Sequence, residues 1–229
     1  MTQSDDTTGN ETMTPGDATL PNVPGLDIAH VVLVRLAAAI AAAGEGRVRT
    51  AFAQALDAVS HEWVEEVILQ SYLFAGFPRT LNAAREWRKL SGRPAPVSDD
   101  GERFDEASAW SEAGERTCRV VYGATYERLR HNIRALHPAL DAWMIVEGYG
   151  KVLSRPQIDM RRRELCIVAA CAAAGQDRQL HAHLHGALHA GASVEEVSGV
   201  LAAVTDLMAP GNPERYRLLL ERVVHQDVH

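Results

Sequence analysis

Aromatic residues occupy only 6% of this 229-residue chain, and runs in which Val, Ile or Thr alternate with polar residues are almost absent. With so little to build strands from, the chain reads as all-α. Lysine occurs only at Lys89 and Lys151, and the arginines are interspersed with acids to a formal net charge of −7. No basic stripe exists for a phosphate backbone, so nucleic acid is not expected as a partner. Cysteine occurs three times, as Cys118, Cys166 and Cys171, never in Cys-x-x-Cys spacing. On one helix Cys166 and Cys171 would point about 140° apart, too divergent for a bridge. Unbridged thiols imply a reducing compartment. No apolar run reaches the ~18 residues of a membrane span, and no basic start precedes an apolar stretch. The protein is therefore expected in the cytoplasm, away from membranes.

What is present is alanine and helical periodicity, with 46% of residues hydrophobic, enough for one large core or two small ones. Residues 1–25 are polar and rich in Thr, Asp, Gly and Pro, and read as a disordered tail. From Leu26 to Leu90 three helices are expected, ending at Gly44, covering Arg47 to Val59, and opening near Trp63, with a short fourth over Asn82 to Leu90. The third, VEEVILQSYLFAG, is apolar nearly all round and should be central or at an oligomer interface. Residues 91–114 have the Pro, Gly, Ser and Asp content of a linker. Residues 115–229 should then hold a helix from Glu115 to Leu136, one starting at Pro138, a Gly- and Pro-punctuated approach, and the helices that follow.

Two segments repeat one another. AAAIAAAG (37–44) matches VAACAAAG (168–175). Each is followed by an arginine, Arg47 or Arg178, then by Ala55-Leu56 or Ala187-Leu188, then by VEEV at 64–67 or 194–197. The expected architecture is an antiparallel helical bundle of two tandem repeats. In the register through the two glycines Glu164 falls opposite Leu33, and His183 opposite Ala51 or Phe52. The first copy, 26–90, has lost the polar pair and reads as packing and assembly.

That pair is the reason to look for chemistry in 163–191. Glu164 shares a stripe with Ile167, Val168 and Cys171, and His183 borders the apolar face of Leu180, Leu184, Ala187 and Leu188. Two antiparallel helices turning at Gly175 would bring carboxylate and imidazole into one pocket. Read singly, Glu164 is equally a first-turn acid complementing the helix dipole, and His183 a satisfied boundary histidine. Nearby, His181, His185 and His189 fall at i, i+4 and i+8 and form a stripe that His183, about 160° to 200° away, cannot join. Without a paired acid in the HExxH manner this stripe reads as a solvated or interface face, and neither metal nor cofactor is expected.

The run from His137 to Val197 closely resembles the carboxymuconolactone decarboxylase family, and VEEVILQSYLFAGFPRTLNA resembles the ending of that family's repeat. The resemblance implies an alkylhydroperoxidase D-like helical fold that assembles into trimers or hexamers. It implies either lactone decarboxylation or the peroxidase chemistry of the alkylhydroperoxidase D group, in which a glutamate precedes a Cys-x-x-Cys-x-x-x-His motif. Glu164 matches the glutamate and His183 the histidine, while Gln176 and Gln179 stand where the cysteines would be. An amide is no thiolate, so the acid-base pair survives without the redox pair. The repeat endings also depart from the family at Gln70 and at LMAPGNP. The leading expectation is a cofactor-free carboxy-lyase or isomerase acting on a small carboxylated lactone or cyclic acid. Glu164 or His183 would move the proton, Arg155 or Arg163 would clamp the substrate carboxylate, and Tyr149, Gln176 and Gln179 would supply hydrogen-bonding walls. The alternatives are peroxidase activity and a non-catalytic oligomerisation or ligand-binding module.

Overall fold

The computed structural model describes residues 20–227. Among them there is no strand, and eleven α-helices follow in order: α1 (Ile28–Ala42), α2 (Glu45–Ala58), α3 (His61–Ala75), α4 (Phe77–Ser91), α5 (Ala107–Tyr122), α6 (Tyr126–Leu136), α7 (Pro138–Trp143), α8 (Met160–Ala174), α9 (Asp177–His189), α10 (Val194–Ala203) and α11 (Asn212–Asp227). Local chemistry sets most of the boundaries. Asp27, Ser60 and Asp159 accept the N–H of the third residue of α1, α3 and α8, and Ser193 with Glu196 closes a capping box on α10. Each satisfies an N–H that the helix cannot satisfy itself.

At the centre α1 lies along α8, with α2 and α3 against α1 and with α9 and α10 against α8. Both central helices are buried nearly all round, over Val31–Val34 and Leu36–Ala41 in α1 and over Arg163–Ala173 in α8. Alanine makes this close approach possible, since a small side chain keeps the helix axes near one another. Helix α3 is less central than its composition suggests. Val64, Val67 and Ile68 are buried, but Leu69 is 39% exposed.

Several boundaries differ from the sequence reading. Residues 1–19 of the expected tail lie outside the described residues, whereas Val23 belongs to the core and the Pro24 carbonyl lies against Gly199 of α10. The expected linker is already helical from Ala107, because the apolar face of α5 finds a partner there. That partner is a π-helical continuation of α7 over Met144–Val152. The two elements cross at glycines: a Cβ on Gly114 would sit 2.1 Å from the Ile145 carbonyl oxygen, and one on Gly150 2.0 Å from that of Trp110. Only hydrogen fits at either place. The helix expected over Glu115 to Leu136 is broken at Gly123, which takes φ 50° and separates α5 from α6. The glycines that align the repeats also differ in conformation, Gly175 ending α8 with left-handed φ 69° and Gly44 preceding α2 in extended backbone.

Candidate active site

Glu164 occupies the second turn of α8 and His183 the second turn of α9, so the hairpin at Gly175 folds one onto the other. Glu164 Oε2 lies 2.8 Å from His183 Nδ1, with the glutamate fully buried and the histidine 5% exposed. Such a contact between buried groups is a charge-assisted hydrogen bond in a low-dielectric setting. With Glu164 ionised and Nδ1–H donating to it, a neutral ring presents Nε2 as its free basic site. The other glutamate oxygen, Oε1, is buried with no hydrogen-bond partner among the described residues.

Neighbouring elements complete the walls. Gly186, one turn beyond His183, lets the carboxylate lie against the α9 backbone, since a Cβ there would stand 2.6 Å from Glu164 Oε2 and 2.7 Å from Val121 Cγ1. Phe74 from α3 meets the His183 ring edge-on at 5.4 Å. Tyr149, on the π-helical stretch, packs edge-on against Tyr122 at the end of α5, their ring centroids 6.1 Å apart. Burial pushes the Tyr122 phenol up to about 12 and that of Tyr149 well above its ordinary value, and the charge of Glu164 adds to both shifts. Both phenols therefore stay protonated at neutral pH. Sequence reading missed Tyr122 and Phe74, because each enters from a distant helix, and Gly186, because only the packing of α8 and Val121 against α9 shows that a Cβ has no room there.

The other residues singled out in the sequence sit elsewhere. Arg155 and Arg163 do not hydrogen-bond to Glu164 or His183. Arg163, fully buried, donates to Glu66 Oε2 at 2.6 Å, to Gln70 Oε1 at 3.2 Å and to the Arg155 carbonyl at 2.9 Å. Arg155 binds Glu66 at 2.9 and 3.0 Å and Asp99 at 2.8 and 2.9 Å. The two arginines thus tie α3 and the 92–106 connection to α8, and the charge expected to clamp a substrate is already neutralised. Gln176 donates to the Phe74 carbonyl at 2.9 Å, fastening the α8–α9 turn to the end of α3, while Gln179 is exposed on the first turn of α9.

All three cysteines are free and buried. Burial raises the Cys118 and Cys166 thiols to about 12 and that of Cys171 higher still, so none is a thiolate near neutrality. In the histidine stripe the ring centroids of His181 and His185 are 5.0 Å apart and those of His185 and His189 6.3 Å, and His189 Nδ1 is bonded to the Val121 carbonyl at 2.8 Å. No group of three or more His, Cys, Asp or Glu among the described residues is arranged to hold a metal ion. Among the described residues, one surface cleft of about 490 Å³ opens between α1, α2 and α4 and another of about 360 Å³ between α9 and α11. Neither is lined by Glu164 or His183.

Helix order, the α8–α9 hairpin and the paired glutamate and histidine define an all-α protein of the alkylhydroperoxidase D-like fold. Residues 138–209 match the carboxymuconolactone decarboxylase family. That matching segment, which is similar to the family, carries both Glu164 and His183. Among curated proteins it is similar to "Peroxisomal protein 2" of Schizosaccharomyces pombe, 30% identical over 136 residues, covering 58% of this chain and 63% of the relative. It is also similar to "Peroxisomal protein 2" of Saccharomyces cerevisiae, 25% identical over 160 residues, covering 59% and 56%. The matches span less than two thirds of either relative. Among the described residues no helix is long and apolar enough to cross a membrane.

Proposed function

We propose that the chain is a cofactor-free acid-base enzyme in which Glu164 orients His183 and His183 moves the proton, acting on a small carboxylated lactone or related cyclic acid. The observation that carries this reading is the buried 2.8 Å pair with one glutamate oxygen left unpartnered. Loss of carbon dioxide from such a lactone sends the electrons of the breaking C–C bond into a conjugated carbonyl. The resulting dienolate needs hydrogen-bond donors at oxygen and a proton at carbon. Tyr149 and Tyr122, held protonated by burial, are suited to the oxygen, and an imidazolium at His183 to the carbon. After transfer the neutral ring recovers its proton from solvent. The same groups suit an isomerisation, in which the ring first accepts the proton that it later returns.

A panel of carboxylated lactones, read by carbon dioxide release, tests the reaction class. Glu164→Gln and His183→Gln should each lower turnover by ~10²-fold or more, the ordinary weight of general acid-base catalysis. Cys166→Ser and Cys171→Ser should leave it unchanged. Thiol-dependent consumption of peroxide, or inactivity confined to the cysteine variants, would replace this reading with alkylhydroperoxidase chemistry. We place the protein in a reducing compartment, the cytoplasm, on the strength of its three unbridged thiols. The peroxisomal names of the fungal relatives make that organelle the alternative, and imaging of a tagged full-length chain separates the two.

A further inference from the structure

The cleft between α9 and α11 has a charge balance unlike the rest of this acidic protein. Arg178, Arg215 and Arg222 line its 360 Å³ against a single carboxylate, Asp177. That carboxylate is already committed, accepting both terminal nitrogens of Arg215 at 2.5 and 2.8 Å and the Tyr216 hydroxyl at 2.7 Å. The contact neutralises Arg215 and fixes it, with its guanidinium 4.9 Å from the Tyr216 ring centroid.

Two cations remain uncompensated. Arg178 makes no hydrogen bond or ion pair among the described residues, and Arg222 bonds only the Leu218 carbonyl of its own helix, through Nε, at 3.3 Å. Both terminal nitrogens of Arg222 are left to face a ligand. The contrast with Arg217 on the same helix is instructive, since that side chain is paired with both Glu214 and Glu221. The larger cleft on the other half is also balanced differently: Arg79 caps the Ile40 and Ala43 carbonyls, and Glu86 pairs with Arg49. His181, on the wall between Arg178 and Arg222, is held below its ordinary pKa by burial and then by His185 and Arg222. It offers a hydrogen bond at neutral pH.

We propose that this cleft binds a small multivalent oxyanion, phosphoryl or polycarboxylate, gripped by Arg178 and Arg222 with Arg215 as a preorganised third donor. Guanidinium forks match the paired oxygens of either group, and concave placement of like charges strengthens their field at the centre. Leu219 supplies an apolar floor on which a short carbon skeleton can rest. The site is separate from the Glu164–His183 pair and stands whether or not that pair is catalytic.

Isothermal titration calorimetry on the full chain at low ionic strength, with pyrophosphate and with citrate in separate runs, is the test. Saturable one-site binding of at least one probe is expected. Arg178→Ala and Arg222→Ala should each weaken it by about tenfold or more, as loss of a charge-assisted hydrogen bond implies. Both side chains are exposed, so both variants should keep the parent's circular dichroism. Lys89→Ala, in the other cleft, should bind like the parent. Response to pyrophosphate alone identifies a phosphoryl ligand, and response to citrate alone a polycarboxylate. Absence of saturable heat with both probes overturns the proposal, as does unchanged affinity in the two arginine variants.

Discussion

Replacing Glu66 by glutamine is the perturbation that most directly probes how the two halves of this molecule are held together. The glutamate side chain is 3% exposed and the Arg163 side chain that it pairs with is 0% exposed, at 2.6 Å. The amide keeps the shape and one acceptor but removes the charge, leaving a guanidinium buried against a dipole. Arg155 keeps Asp99 and is partly open to solvent, so its loss is smaller. Breaking a buried ion pair from one side costs about 3–5 kcal/mol, because the partner's desolvation is no longer offset. For a chain of this size that corresponds to a fall in Tm of about 6–20 °C. Urea denaturation with matched m-values is the assay. A Glu66→Leu, Arg163→Met double variant should regain most of the loss, since an apolar pair carries no desolvation penalty. If Glu66→Gln stays within about 1 kcal/mol of the parent, the pair is not a strut between α3 and α8.

Gly186→Ala should push a Cβ into Glu164 Oε2 and Val121, costing about 1–3 kcal/mol and lowering turnover more than stability, because the carboxylate must leave His183 to make room; a variant as active as the parent would show that the contact is dispensable. Asp141 is held below its ordinary 3.8 first by its hydrogen bond to Arg130, with burial opposing. Its stabilisation is therefore complete above the unfolded value and is lost as pH falls through the lower folded one, so the parent should weaken below about pH 4 and Asp141→Asn should show a flatter acid limb in stability against pH. Leu69, Phe77 and Leu81 on α3 and α4, and Leu136, Leu140 and Trp143 on α6 and α7, are exposed enough that a homo-oligomer is expected. Light scattering that reports a monomer at micromolar concentration would refute it.

The all-helical class was legible from composition and the 3.6-residue period, which are local properties of a chain rich in alanine and poor in β-branched alternation. The Glu164–His183 contact was legible for a related reason. The two residues are 19 apart on one hairpin, and helix geometry with a glycine turn sets which faces meet. The roles of Arg155 and Arg163 were not legible, because their partner Glu66 lies 89 and 97 residues away on α3, and nothing local tells an arginine seeking substrate from one already neutralised. Tyr122, Phe74 and the α5 contact with the π-helical stretch were hidden in the same way. The break at Gly123 and the glycine crossing at Gly114 and Gly150 appear only when one backbone must pass within contact distance of another. Periodicity and hairpin reach belong to the sequence by itself, since they rest on bonds between near neighbours. The neutralisation of charge and the enclosure of the acid-base pair were decided by tertiary structure, because burial depends on which distant surfaces pack together.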